Sequence, residues 1–220
     1  MALTVGVVIP AYNEEATIAG VVESVSAYAS QVIVSSDGSA DGTVDVARSA
    51  GAIVVDEAVN SGPERATELG FIEALKYDID ILVTFDADGQ HLPVYIPEMV
   101  KLIEDGSADV VVGARGIFPR FSEYLFSWYS SLRIGIRDPI CGLKAIRSVV
   151  YRDIGYFDTV GGITAQFLFQ AKKRDYKLVQ IPIEVRQRSD VPRIGDAVTA
   201  NVKMLRGLFR IILNDIGVLK

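Results

Sequence analysis

Asp86 and Asp88 stand one residue apart in the segment Phe85-Asp86-Ala87-Asp88-Gly89-Gln90-His91. They follow the apolar run Ile81-Leu82-Val83-Thr84, which reads as a buried strand. Two carboxylates at the end of a strand both reach the crevice beyond the sheet. Their hard oxygens suit a divalent cation, and a Mg²⁺ held by one or two carboxylates keeps positions open for substrate phosphates. The segment therefore points to chemistry on a phosphorylated or nucleotide-linked substrate. The same residues also fit a plain turn, in which Asp and Gly satisfy backbone geometry. The surrounding elements must decide.

Short β-rich runs at 4–9, 32–35, 52–56, 81–85 and 110–113 alternate with amphipathic helical patterns at 14–28, 43–50, 65–77 and 95–104. That alternation implies an α/β domain with a mostly parallel sheet covered by helices on both faces. Such sheets bind ligands beyond the carboxyl ends of their strands. The polar clusters fall at those ends: Ala11-Tyr12-Asn13-Glu14-Glu15, Ser36-Asp37-Gly38-Ser39-Ala40-Asp41-Gly42-Thr43, Asn60-Ser61-Gly62-Pro63 and the segment 86–91. Asn13 is expected to cap the first helix, and Asp41 the second. Capping accounts for one residue per loop, not for four such loops at successive strand ends.

A chain of 220 residues can bury one sizeable core. Its net charge of −6 argues against a nucleic-acid partner, so any phosphate site must gather its positive charge locally. The single cysteine, Cys141, excludes an intramolecular disulfide and a Cys-rich zinc site and reads as a small core residue. Pairing of Cys141 with the only histidine, His91, stays open at this point. Residues 3–9 read as a strand rather than a signal peptide, and no run of about 18 uncharged apolar residues occurs, so the expected compartment is the cytoplasm.

After Arg115 the pattern changes. Residues 118–136 carry Phe118, Phe121, Tyr124, Leu125, Phe126, Trp128, Tyr129, Leu132 and Ile134, with Arg120 and Arg133 interspersed. Helical spacing of aromatics reads first as core packing; the other reading is an amphipathic element on a membrane or over a lipid acceptor. Tyr151, Tyr156 and Phe157 are expected to pack on the sheet. Residues 166–174 and 178–185 read as a further helix and strand. Residues 195–220 form an apolar helix bearing Lys203, Arg206 and Arg210, expected to dock on the domain or to lie on an anionic lipid surface.

The ordered set Val8-Ile9-Pro10-Ala11-Tyr12-Asn13-Glu14-Glu15, Asp37-Gly38-Ser39-Ala40-Asp41-Gly42-Thr43, Asp86-Ala87-Asp88-Gly89-Gln90-His91, Gly113-Ala114-Arg115 and Asp138-Pro139-Ile140-Cys141-Gly142-Leu143-Lys144 resembles family 2 glycosyltransferases of the GT-A fold. Within that family it looks most like the dolichyl-phosphate mannose synthase and polyprenyl-phosphate glucosyltransferase branch. The resemblance runs from about residue 5 to residue 193. It implies a GT-A domain over 1–194, followed by the C-terminal helix at 195–220. It also implies inverting transfer of a hexose from a nucleotide-diphosphate sugar, GDP-mannose or UDP-glucose, to a polyprenyl (dolichyl) phosphate, with Mg²⁺ or Mn²⁺ as cofactor. A peripheral contact with the cytoplasmic face of a membrane follows from such an acceptor.

The resemblance also assigns roles by position. Pro10, Ala11, Tyr12 and Glu14 would line the nucleotide pocket, and Asp37 would meet the base or ribose. Asp86 and Asp88 would hold nucleotide and metal, with Gln90 completing the metal shell. Arg115 would contact the acceptor phosphate, joined by Arg133. Arg186, Arg188 and Arg193 match a basic loop that closes over diphosphate and acceptor. The sequence departs from the pattern at Ser36, where a second acid is common, and at Pro63-Glu64-Arg65, where Arg65 would replace a lysine. Gln166 stands where an acid is common. Glutamine cannot serve as general base, which favours an acceptor that is already an anion.

Rival readings are a haloacid dehalogenase-type phosphatase with Asp86 as nucleophile and Asp88 as acid/base, and a nucleotidyltransferase on a similar fold. A glycosyltransferase with a non-lipid acceptor and a non-catalytic sugar-nucleotide-binding protein complete the set. Gln90 and the strand-helix units before Asp86 count against the phosphatase.

Overall fold

The computed structural model describes residues 3–116, 118, 120–161, 164–186 and 197–218, without the side chains of 197–200. Arg188 and Arg193 lie outside the described residues.

The β-branched runs form one seven-stranded sheet: β1 (Val5–Ala11), β2 (Gln31–Asp37), β3 (Ile53–Glu57), β4 (Ile81–Thr84), β5 (Val110–Arg115), β6 (Lys144–Arg147) and β7 (Leu178–Ile183), in the order β3-β2-β1-β4-β6-β5-β7. Val7, Val8, Ile9, Ile33 and Val34 are fully buried, as continuous apolar strands of a sheet covered on both faces must be. β1 pairs in parallel with β2 and β4, and β2 with β3. β6 runs antiparallel between β4 and β5, while β5 and β7 are parallel. The expected parallel-rich sheet is present. β6 was not expected: its four residues carry no period of their own, and two neighbouring strands supply their pairing.

Eight α-helices flank the sheet among the described residues: α1 (Ile18–Ser26), α2 (Thr43–Ser49), α3 (Pro63–Ala74), α4 (Ile96–Glu104), α5 (Phe121–Ile134), α6 (Ser148–Ile154), α7 (Gln166–Lys173) and α8 (Ala197–Asp215). Two boundaries differ from expectation for local reasons. α3 begins at Pro63, whose fixed φ suits the first helical position. α1 begins only at Ile18, because Asn13 adopts φ 53° and cannot cap the helix. Its side chain instead accepts the Ala40 amide at 2.8 Å, while its own amide donates to Ser39 Oγ. Asp41 does hold the amide of Thr43, at 3.0 Å.

Tyr151 and Phe157, expected on the sheet, are buried in the core, where both meet Phe71 of α3 edge-on, at 5.0 and 5.4 Å. Tyr156 is partly buried against the same core. Cys141 is buried as expected, and burial, then nearby Asp138, pushes its thiol up to about 12.

The aromatic segment divides. Phe126 and Ile134 on α5 enter the core, whereas Phe121, Tyr124, Trp128 and Leu132 stay exposed. α8 runs alongside α5 in the same direction. Asn201 near its start accepts from Ser122, and Asp215 at its end accepts from Tyr129 and Arg133. No described helix is long and apolar enough to cross a membrane.

Candidate active site

The strand register aligns the carboxyl ends of β1, β2 and β4 on one edge of the sheet, with the start of β6 among them: Thr84 at the end of β4 lies opposite Lys144. The Thr84 hydroxyl donates to the Gly142 carbonyl at 2.5 Å and accepts the Lys144 amide at 3.1 Å. These two bonds lock the segment before β6 against the outlet of β4. Phe85 stays in the core, and Asp86 enters the crevice.

Asp86 sits in a cradle. A Cβ on Gly142 would lie 2.1 Å from its Oδ1, so only glycine lets the carboxylate occupy this position. Oδ2 hydrogen-bonds with His91 Nε2 at 2.9 Å. His91 is buried and packs edge-on against Phe85 at 5.8 Å. Lys144 is fully buried near Asp86 and donates to the Cys141 carbonyl and, at 3.3 Å, to Thr164 Oγ1; burial pulls its ammonium below its usual value, opposed by Cys141 and Asp86. Burial opposes ionisation of Asp86, but His91, Lys144 and Arg115 outweigh it and hold the carboxyl below its usual range. The Asp86 side chain remains 42% open to solvent. His91 and Cys141 do not form a thiol–imidazole pair, since His91 Nε2 faces Asp86.

Asp88 accepts the Gln90 amide at 3.0 Å across Gly89, which takes φ +71°. This Asx-type turn folds the segment back toward the sheet. His91 bridges to Val185, the Arg186 amide donates to the Gln90 carbonyl at 2.9 Å, and the Gln90 side-chain amide donates to the Arg186 carbonyl at 3.3 Å. The acidic segment and the start of the basic loop are thus laced together through their backbones.

Among the described residues no three His, Cys, Asp or Glu side chains cluster to hold a metal by themselves. Asp86 and Asp88 offer instead the partial set of carboxylate oxygens that a Mg²⁺ or Mn²⁺ ion completes with phosphates and water. The cradle fits that role, since Gly142 and His91 fix the Asp86 carboxylate while part of it faces solvent. The nitrogen of Gln90 is committed to Arg186, which leaves its carbonyl oxygen as the only metal-ligating atom.

Of the residues expected to line the nucleotide pocket, Pro10, Ala11 and Tyr12 follow one another at the end of β1, with Tyr12 exposed. Glu14 is buried; its backbone amide donates to Thr43 Oγ1 at 2.7 Å, and its carboxylate accepts from Thr17. Asp37, expected to meet the base or ribose, is buried and accepts the Ser61 and Gly62 amides at 2.7 and 2.8 Å. It shapes the 60–62 loop. Arg65 is exposed and pairs with Glu68 of its own helix at 3.1 Å, not with a group in the crevice.

Arg115, expected to contact the acceptor phosphate, forms a two-pronged pair with buried Asp138, Nε to Oδ2 at 2.7 Å and Nη2 to Oδ1 at 2.9 Å. Burial opposes its charge, but Asp138 holds the guanidinium firmly protonated. Buried Glu123 lies 3.6 Å from Arg115 and 2.9 Å from Arg120. Arg133 is not gathered with them: its Nε pairs with Asp215 at 2.6 Å, at the far end of α5. Gln166 is fully buried, and its carbonyl accepts the Thr159 and Val160 amides.

Gly142, Lys144, Asp138 and Glu123 build the site but had no assigned role in the sequence. The motif from Asp138 to Lys144 was visible; its contact with Asp86 depends on the antiparallel insertion of β6.

Residues 6–155 match the model of the family described as Glycosyl transferase family 2. Among curated proteins, the chain is 26% identical to a dolichyl-phosphate hexose transferase of Haloferax volcanii, over 95% of this chain and 94% of that one. It is 28% identical to an undecaprenyl-phosphate mannosyltransferase of Micrococcus luteus, over 82% and 83%. In fold it is similar to the crystal structure of Mycobacterium tuberculosis glucosyl-3-phosphoglycerate synthase in complex with Mn²⁺ and UDP-glucose, with a TM-score of 0.78 and 24% identity over 98% of this chain and 79% of that one. The GT-A expectation holds, and the phosphatase reading is overturned by the family match. The chain belongs to glycosyl transferase family 2.

Proposed function

We propose that this protein transfers a hexose, with inversion, from GDP-mannose or UDP-glucose to a polyprenyl phosphate, with Mg²⁺ or Mn²⁺ bound by Asp86 and Asp88. One observation carries the reading: a carboxylate pair at the crevice edge, with Asp86 cradled by Gly142 and flanked by His91 and Lys144. The two named relatives support the acceptor class, since both carry a polyprenyl-type phosphate in their names.

In the reaction, an acceptor phosphate oxygen attacks C1 of the sugar. The C1–oxygen bond breaks, and the nucleoside diphosphate leaves with its electron pair. Asp86 and Asp88 would hold a divalent ion, which would neutralise charge on the diphosphate. Tyr12 and the 60–62 loop held by Asp37 bound the nucleotide side, and Gly142 and His91 orient Asp86. Arg115, pinned by Asp138, keeps a fixed cation near Asp86, where it would hold the acceptor phosphate beside the donor. Arg186 follows the Gln90 contact and starts the basic stretch that, with Arg188 and Arg193, would cover the diphosphate and acceptor. An acceptor phosphate is already an anion and needs no general base, which agrees with Gln166 being spent on backbone amides.

The test is titration calorimetry of GDP, UDP, GDP-mannose and UDP-glucose with and without Mn²⁺, followed by transfer to a short-chain polyprenyl phosphate and NMR of the product's anomeric configuration. Metal-dependent binding of one nucleotide and an inverted lipid-phosphate product are expected. Transfer to a small phosphorylated acceptor but not to the lipid would move the protein to the non-lipid branch. Absence of nucleotide binding would leave a protein without catalysis.

A further inference from the structure

Four large apolar side chains on α5 point away from the protein. Phe121, Tyr124, Trp128 and Leu132 are 73%, 62%, 66% and 71% exposed, at the i, i+3, i+7, i+11 spacing of one helix face. Beside them, α8 exposes Val202, Leu205 and Phe209, again at i, i+3, i+7. Because α5 and α8 run side by side in the same direction, the two stripes are neighbours on one surface. Monomers in water rarely expose contiguous apolar patches of this kind without a partner.

The charge on this surface decides what covers it. The exposed described side chains of the two helices include Lys203, Arg206 and Arg210 on α8 and Arg133 on α5, and no acid; an acid on another element, Glu64 of α3, is favoured in its charged form by Lys203. Glu123 is buried on Arg115 and Arg120, and Asp215 is paired with Arg133 and Lys173. A protein of net charge −6 thus keeps one face apolar and basic. A second copy would set these cations against themselves. An anionic lipid surface accepts both the apolar side chains and the cations.

We propose that the α5–α8 face is a docking surface for an anionic lipid bilayer, with Phe121, Tyr124, Trp128, Leu132 and Phe209 entering the interface and Lys203 and Arg206 meeting headgroups. This rests on the lipid-acceptor reading and adds the means of delivery. The apolar face begins one turn from Arg120 and Glu123, which join Arg115 at the active site, so a bilayer along α5 presents a lipid phosphate beside that site.

Trp128 is the only tryptophan, so its fluorescence reports on this face alone. The full chain, without nucleotide, is mixed with vesicles of phosphatidylcholine alone or with added phosphatidylglycerol. A blue shift and co-sedimentation with the anionic vesicles are expected, both weakening as salt rises. Phe121→Ser with Leu132→Ser should abolish the shift. Lys203→Gln with Arg206→Gln should weaken binding to anionic vesicles on the order of tenfold. Circular dichroism confirms that each variant is folded.

Equal binding to neutral vesicles overturns the basic part of the proposal, and no binding to either kind overturns it entirely. A shift that instead follows protein concentration, with doubled mass and no lipid, assigns the face to a second copy. Binding only to native membranes, and lost when those are treated with protease, assigns it to a protein. Transfer to a water-soluble short-chain acceptor separates the two readings. If the Phe121/Leu132 variant keeps that transfer while the parent fails to dock, docking alone falls. If docking holds without any transfer to lipid phosphate, the acceptor reading falls and docking stands.

Discussion

Two loops of this sheet carry an aspartate at a strand end, and they use it in opposite ways. Asp37, the last residue of β2, is buried and spends both oxygens on the Ser61 and Gly62 amides. Asp86, after β4, bonds one oxygen to the His91 ring, lies against a glycine that makes room for it, and keeps 42% of its side chain open. The first carboxylate holds a loop; the second stays open to the crevice. The difference comes from the facing segment. The 60–62 loop offers two unpaired amides, and the turn before β6 offers a missing side chain.

The largest effect that would sharpen this contrast is on catalysis. Asp88→Ala should lower transfer on the order of 10³-fold, equivalent to about 4 kcal/mol of transition-state stabilisation, with little change in the urea midpoint. A variant with full activity would remove Asp88 from metal binding. Asp37→Ala should act the other way round. It leaves two amides without their charged acceptor and should cost about 2–3 kcal/mol of unfolding free energy, measured by urea denaturation. Unchanged stability would break the structural reading of Asp37.

A smaller effect is expected at the cradle. Gly142→Ala puts a methyl group into the Asp86 carboxylate and should weaken Mn²⁺-dependent nucleotide binding by about tenfold or more, the cost of overpacking a fixed site. The control is Gly20→Ala on α1, where nothing lies within 4 Å. Equal binding by both variants would show that Asp86 moves aside freely.

The smallest effect lies at the far end of α8. Burial raises the Asp215 carboxyl, but Arg133 and Tyr129 outweigh it and hold it below its usual range. A depressed carboxyl stabilises the fold above its unfolded value and loses that contribution as pH falls through the folded value. Asp215→Asn should cost at most about 1 kcal/mol at neutral pH, because Arg133 is half exposed. The gap between variant and parent should close as the pH drops below about 4. A gap that persists in acid would mean that the α5–α8 contact does not depend on this pair.

Much of the site was legible in one dimension because its parts are local. The apolar run before Phe85, the Asp86-Ala87-Asp88 spacing and the alternation of strand and helix through residue 113 all depend on near neighbours, and β1 to β5 formed where that pattern put them. Asn13 escaped prediction because its left-handed backbone is set by the opposite loop, where Ser39 and Ala40 hold it. Arg65 and Arg133 matched by position and charge, yet each found a carboxylate closer than the crevice.

What the sequence determined by itself was the family, the sheet and the identity of the acidic pair, since side-chain periodicity and motif spacing are properties of the chain. What only the tertiary structure decided was which charged groups face which. Lys144 and Gly142 come beside Asp86 because β6 inserts antiparallel between β4 and β5, 58 residues on from Thr84 in the Thr84–Gly142 bond. The aromatic face of α5 stays outside because α7 and α8 cover only its other side. Both outcomes rest on packing between segments distant in sequence, which no local pattern encodes.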